Sequence, residues 1–230
     1  MNISRKAFLS VGLAGAAGAA LATPAAAQLI QKPGDWSHEG LEAILKKPAR
    51  YRQVYDITRI NDGIFLNNIK NSLNGLQFSF GTKPEAISIV AGLHGLANFL
   101  NFDDAAWAKF RLGEFTGVND PGTGQPATRN IFYKSTSNSE NHNLNDAASV
   151  YQDHSIQALQ RRGVRFLICH TATEEQSRKL IAKFHLDVKP ENLVTEILKH
   201  RIPGATVVPS MVATIAVLQQ DGHFTYITLS

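Results

Sequence analysis

One short stretch, "EAISIVAGLHG" at residues 85–95, constrains the fold of this chain more than any other. It is a continuous apolar run, bounded by Pro84 and by Gly92 and Gly95. A strand that shows no polar alternation is buried on both faces, which is the situation inside a parallel sheet covered by helices. The rest of the chain alternates in keeping with that. "YRQVYDITR", residues 51–59, has β-rich character and leads into residues 60–76, where Ile64, Leu66, Ile69 and Leu73 fall at helical spacing with Asn61 or Asp62 as cap. After the apolar run, "ANFLNFDDAAWAKFRLGE" reads as helix, starting near Asp103 or Asp104. Farther on, "HSIQALQRRG" is a helix, "VRFLICH" a strand, "TEEQSRKLIAKF" and "KPENLVTEILKH" two helices, "GATVVPS" a short strand, "MVATIAVLQQ" an apolar helix and "HFTYITLS" a closing strand. Strands alternating with helices imply a parallel sheet with right-handed crossovers and helices on both faces.

Residues 1–27 carry the three-part layout of an export signal: Arg5 and Lys6, a mild Ala/Gly/Leu/Val run, then Ala25-Ala26-Ala27 before Gln28. The run is too short and too weakly apolar to anchor the chain, so no stable membrane insertion is expected after cleavage near Ala27; an uncleaved amphipathic N-terminal anchor is the alternative. Ser4-Arg5-Lys6-Ala7-Phe8-Leu9 is similar to a twin-arginine motif with Lys in the second arginine position, an address read on proteins exported already folded. The expected location is the periplasm. Losing Arg5 and Lys6 takes the 23 basic residues to 21, against 19 acidic ones, so the mature chain is close to neutral. With no basic run interleaved with aromatics, nucleic acid is not an expected partner.

Residues 28–50 form an N-terminal arm with one amphipathic piece, "HEGLEAILKK", and residues 51–230 form the α/β domain. Near residues 115–145 the pattern gives way to Gly, Pro, Asn, Ser and Thr, in "NDPGTGQPATRN" and "STSNSENHNLND". So long a segment is either a functional lid or a disordered surface insertion.

Ligands of open parallel sheets bind beyond the carboxyl ends of the strands. The only cysteine, Cys169, stands at such an end, followed by His170. One cysteine cannot form an internal disulfide, so in an oxidising compartment it is buried and inert, paired between chains, or kept free for chemistry. Thr171-Ala172-Thr173-Glu174 reads as a capping box, which sets the sulfur close to the positive end of the next helix and favours a thiolate. His170 and Arg165 are further candidates for lowering its pKa, although Arg165 is four residues back along the strand. His94 has the analogous place in "AGLHG": a base or partner for the thiol if the two strands are adjacent, otherwise a turn histidine bonded to backbone. His94, His142, His154 and Cys169 show no metal-ligand spacing, no nucleotide-binding glycine motif occurs, and Ser210 reads as a helix cap. No metal or cofactor is expected.

"GVRFLICHTA", "ATVVPSMVATIAVLQQDGHFTYI" and "ISIVAGLHG" together resemble the DsrE/DsrF-like family of sulfur relay and sulfur oxidation, over roughly residues 51–229. The resemblance implies a three-layer, flavodoxin-like, mostly parallel sheet of about five strands, homo-oligomers often built from trimers, and, in active members, a cysteine carrying sulfur as a persulfide. Cys169 is the residue to which that role falls, with His170 and His94 beside it and a sulfur donor or acceptor protein as partner. The polar segment and the export signal depart from the compact cytoplasmic members. The alternative is a non-catalytic protein that binds a small ligand or serves in an oligomeric assembly.

Overall fold

The computed structural model describes residues 32, 34 and 36–228 of the chain; the expected export signal lies outside them. Five strands form one sheet: β1 (Tyr51–Ile57), β2 (Ile87–Leu93), β3 (Arg165–Cys169), β4 (Thr206–Val208) and β5 (Thr225–Thr228). They lie in the order β4-β3-β2-β1-β5, and every pairing is parallel. All seven residues of β2 are buried, as its unbroken apolar character requires of a strand shielded above and below. The two edges are β4, only three residues long, and β5, mostly exposed and polar, which limits what each could template.

Strand periodicity divides the core into two layers. Tyr55, Ile57, Ile89, Ala91, Leu93, Phe166 and Ile168 face one cluster, completed by helices α2 (Ile64–Asn74), α3 (Asp104–Lys109), α4 (Leu112–Thr116), α5 (Ile156–Arg161), α6 (His170–Phe184) and α7 (Pro190–Lys199). Val54, Val90, Leu167, Cys169 and Val208 face the other, with α8 (Met211–Gln220) and Ile44 of α1 (Glu39–Lys46). The arm of the sequence reading therefore contributes a core helix. This is the three-layer, flavodoxin-like α/β architecture.

Several boundaries differ from the sequence pattern, each for a local reason. Asn61 and Asp62 do not cap α2: they hold left-handed backbone, φ 41° and 51°, in a tight turn that delays the helix to Ile64. The helix expected over "ANFLNFDDAAWAKFRLGE" is broken into a 3-10 segment (Gly95–Asn101) and two short helices, with the Asp103 carboxylate accepting from the Ala106 amide as the cap of α3. The polar segment follows a defined path without regular structure. Asn130, fully buried, donates from Nδ2 to the carbonyls of Leu100 and Phe102, and repeated side-chain turns at Asn138, Asn141, Asn143 and Asp146 fold the rest locally. Asp153 closes it: desolvation pushes its carboxyl pKa up, but hydrogen bonds from Ser135, Ser137 and Ser155 outweigh this and hold it well below the usual range.

Candidate functional site

The connections decide where a crevice opens. From β1 to β4 the strands step in one direction, and α6 and α7, between β3 and β4, pack largely with the first core layer. The connection after β4, through α8, runs over the opposite face to reach β5 beyond β1. The chain thus leaves β3 and β4 toward opposite faces, and such a switch point is where open α/β sheets admit ligands. Cys169 stands in it, in register with Val208 of β4.

The Cys169 sulfur serves two helices at once. Cys169 is the N-cap residue of α6, and its Sγ accepts from the Ala172 amide at 3.4 Å. The first amide of α8, that of Met211, also points at Sγ, at 3.3 Å. The expected capping box at Thr171 is not formed, because α6 starts at His170 and the sulfur already occupies the capping position; the Thr171 hydroxyl instead donates to the Pro209 carbonyl at 2.9 Å. Ser210 is the N-cap residue of α8 but makes no side-chain capping bond, and the Met211 amide that follows it goes to sulfur. Asn98, fully buried, fixes the strand end: its Oδ1 accepts from the Cys169 amide at 3.0 Å and its Nδ2 donates to Thr173 Oγ1 at 2.9 Å.

These amides do not make a ready thiolate. Cys169 is 3% exposed, and burial pushes its pKa above the ordinary thiol value, outweighing the lowering effect of the Ala172 and Met211 amides. His170, half-buried at the first position of α6, packs edge-on to the Trp36 ring with centroids 5.2 Å apart; desolvation pulls its pKa down, against a smaller opposing pull from Glu174. Arg165 is exposed at the far end of β3, about 13 Å of extended chain from Cys169, and does not influence the sulfur directly.

His94 stands on the strand next to that of Cys169, immediately beyond the registered pair Leu93 and Ile168, so the adjacency that contact requires is met. Its ring nevertheless belongs to a different group. Nε2 donates to Asp56 Oδ1 at 2.6 Å, while the Tyr226 hydroxyl donates to Asp56 Oδ2 at 2.6 Å. The His94 hydrogen bond is the main cause holding the Asp56 carboxyl below its usual pKa, and the bond to that carboxylate raises the Tyr226 phenol. Asp56, two residues beyond Val54, shares the face of Cys169. Between the two groups lies Met211, whose Sδ would sit 2.7 Å from a Cβ placed on Gly92; glycine there admits the thioether. Gly95, at φ +55° with the Thr58 carbonyl 2.7 Å from where a Cβ would stand, makes the sharp turn that ends β2.

Asp56, Tyr226, Asn98 and Met211 were not singled out by the sequence. Asp56 left a signal, a lone carboxylate near the carboxyl end of a strand, and Asn98 another, an amide inside "GLANFLN". Tyr226 left none, since its position depends on β5 pairing with β1. Among the described residues no group of three or more His, Cys, Asp or Glu side chains gathers as a metal site, and no helix is long and apolar enough to cross a membrane. Compared with known proteins, the chain matches no family model, no curated protein and no solved structure.

Proposed function

We propose that this chain handles sulfane sulfur and that Cys169 is the atom that accepts and holds it. The observation that carries the reading is the convergence of the Ala172 and Met211 amides on one sulfur at the switch point of the sheet. Peptide donors at helix starts stabilise a thiolate and, equally, the sulfur of a persulfide. In the transfer, the Cys169 thiolate attacks the outer sulfur of a persulfide or polysulfide donor. The S–S bond within the donor breaks as the new one forms, the donor leaves as a thiolate, and no net oxidation takes place. Because the resting thiol is buried with a raised pKa, reaction requires the crevice to open, and Trp36, packed on His170, is the cover this reading sets in motion. His170 tunes the sulfur from the adjacent position, and His94, through its pair with Asp56, is the nearby group able to exchange a proton.

The resemblance of residues 163–172, 205–227 and 87–95 to DsrE/DsrF-like proteins supports the same reading and adds its setting: a homo-oligomer in the periplasm, exported through the twin-arginine route, working with a protein sulfur donor or acceptor. The test is mass spectrometry of the native protein after exposure to polysulfide. One added sulfur atom on Cys169, removed by a reductant and absent from Cys169→Ser, is expected. A thiol that is modified only after the chain is unfolded would overturn the proposal.

The burial of the same sulfur favours a second reading, a non-catalytic binding or assembly protein in which Cys169 is only a shared helix cap. On that reading Cys169→Ala loses stability and nothing else.

A further inference from the structure

Far from Cys169, at the amino-terminal edge of the sheet, the polar segment folds back over α2 and α5 and encloses a cavity of about 320 Å³. That is at the small end of the range, about 300–1,000 Å³, in which small-molecule sites fall. Leu73, Ile87, Val150 and Ala158 give it an apolar floor. The charged part of the lining is cationic, from Arg161 and Arg162, with no Asp or Glu; Gln77, Ser139, His142 and Tyr151 are the other polar residues that line it.

Arg162 is the informative residue. Its guanidinium is half-buried, and desolvation lowers its pKa to about 10, so it stays charged at neutral pH. No carboxylate among the described residues pairs with it. Nη2 donates to Gln77 Oε1 at 3.3 Å, the Tyr151 ring lies 5.4 Å from Cζ, and Nη1 is buried with no hydrogen-bond partner. Arg161 differs, since it donates to the Ser135 hydroxyl, which in turn donates to Asp153. A cation partly removed from water with no anionic partner and one buried N–H unsatisfied is costly, and a structure that tolerates one beside a cavity is complementary to an anion.

The surroundings are braced to hold that arrangement. The Asn74 side chain donates to the Tyr151 carbonyl at 2.9 Å, and the Phe78 and Tyr151 rings meet edge-on at 4.9 Å. Gln77 and Phe78 both come from a π-helical turn (Gly75–Ser79) that extends α2, a widened geometry found frequently at functional sites.

We propose that this cavity binds a small organic carboxylate with an apolar or aromatic body, the carboxylate pairing with Arg162 and the body lying against Leu73, Val150 and Tyr151. Guanidinium and carboxylate match as a planar, two-point pair, and no other charged group in the lining competes for it with opposite sign. The polar segment then acts as the wall of a binding site.

The test uses the whole chain and titrates 3-phenylpropionate, its neutral amide and sulfate, followed calorimetrically. The carboxylate is expected to bind at least about tenfold more tightly than the amide, and Arg162→Gln to remove that preference while Arg162→Lys retains part of it. Equal binding of acid and amide to the unsubstituted protein would overturn the proposal, whatever the variants do. So would sulfate binding as tightly as the acid, or an absence of acid binding up to about 20 mM, where a ligand of this size should register.

Discussion

Two polar groups lie at the same end and on the same face of the sheet, with Met211 between them, and they are built in opposite ways. At the end of β3 the Cys169 sulfur is dry and held by backbone amides of two helices. At the end of β1, Asp56 is bonded by the side chains of His94 and Tyr226 and remains about one-fifth exposed, at 18%, with His94 at 20%. What separates them is which helix begins above. Two helices start over β3 and seal it, whereas the chain leaving β2 turns through Gly95 into the opposite layer and leaves Asp56 and His94 open to water. Position at a strand end brings a residue to the rim, and the connection that follows decides whether the rim is wet.

The largest expected effect is at the dry end. Asn98→Ala strands the buried amide of Cys169, removes the donor to Thr173 Oγ1 and leaves a void, and should cost about 2–4 kcal/mol in urea unfolding, more than any change at Asp56. Cys169→Ala removes the shared cap and leaves a small void, for about 1–3 kcal/mol, whereas Cys169→Ser, which still offers an acceptor, should lose less. If Cys169→Ala proves neutral, the sulfur is not a cap.

At the wet end Asp56→Asn should cost about 1 kcal/mol at neutral pH and, because the native Asp56 pKa is depressed, the difference from the unsubstituted protein should vanish as pH falls through and below the carboxylate range. Tyr226→Phe, touching a largely exposed hydroxyl, should cost no more than about 0.5 kcal/mol.

The pH profile separates the two ends again. His170 has a depressed native pKa, so its contribution is present above pH 6.5 and is lost as the pH drops through the native value; Cys169 has a raised one, so its contribution is present below about pH 9 and is lost as the pH climbs. Thermal stability should therefore fall on both sides, and Cys169→Ala should lessen the alkaline loss, leaving the share of the raised Tyr55 and Tyr226 phenols, while the acid side stays unchanged.

The fold was legible largely because β2 is apolar at nearly every position, and such a strand has no place except between two covered faces. The placement of Cys169 at a strand end was legible for the same reason, since an apolar run that stops at Cys169-His170 announces its own carboxyl terminus. The state of the sulfur was not. Whether Sγ meets solvent or the Met211 amide depends on a helix forty-two residues later in the chain, and local pattern contains no term for that. The cap of α6 was misread at Thr171 because cysteine is seldom the capping acceptor, and the helix beginning at Met211 adds its own amide to the same atom.

By itself the sequence determined a parallel α/β sheet with a lone cysteine at its ligand-binding end and a polar segment too long to be a plain connector, because strand burial, helix periodicity and turn chemistry are written in neighbouring residues. Tertiary structure alone decided that the cysteine is sealed by two helix starts, that His94 serves Asp56, and that the polar segment closes a cavity around Arg162. Each of these depends on which distant element covers a given atom, and desolvation, the largest influence on a buried thiol or guanidinium, is a property of that cover.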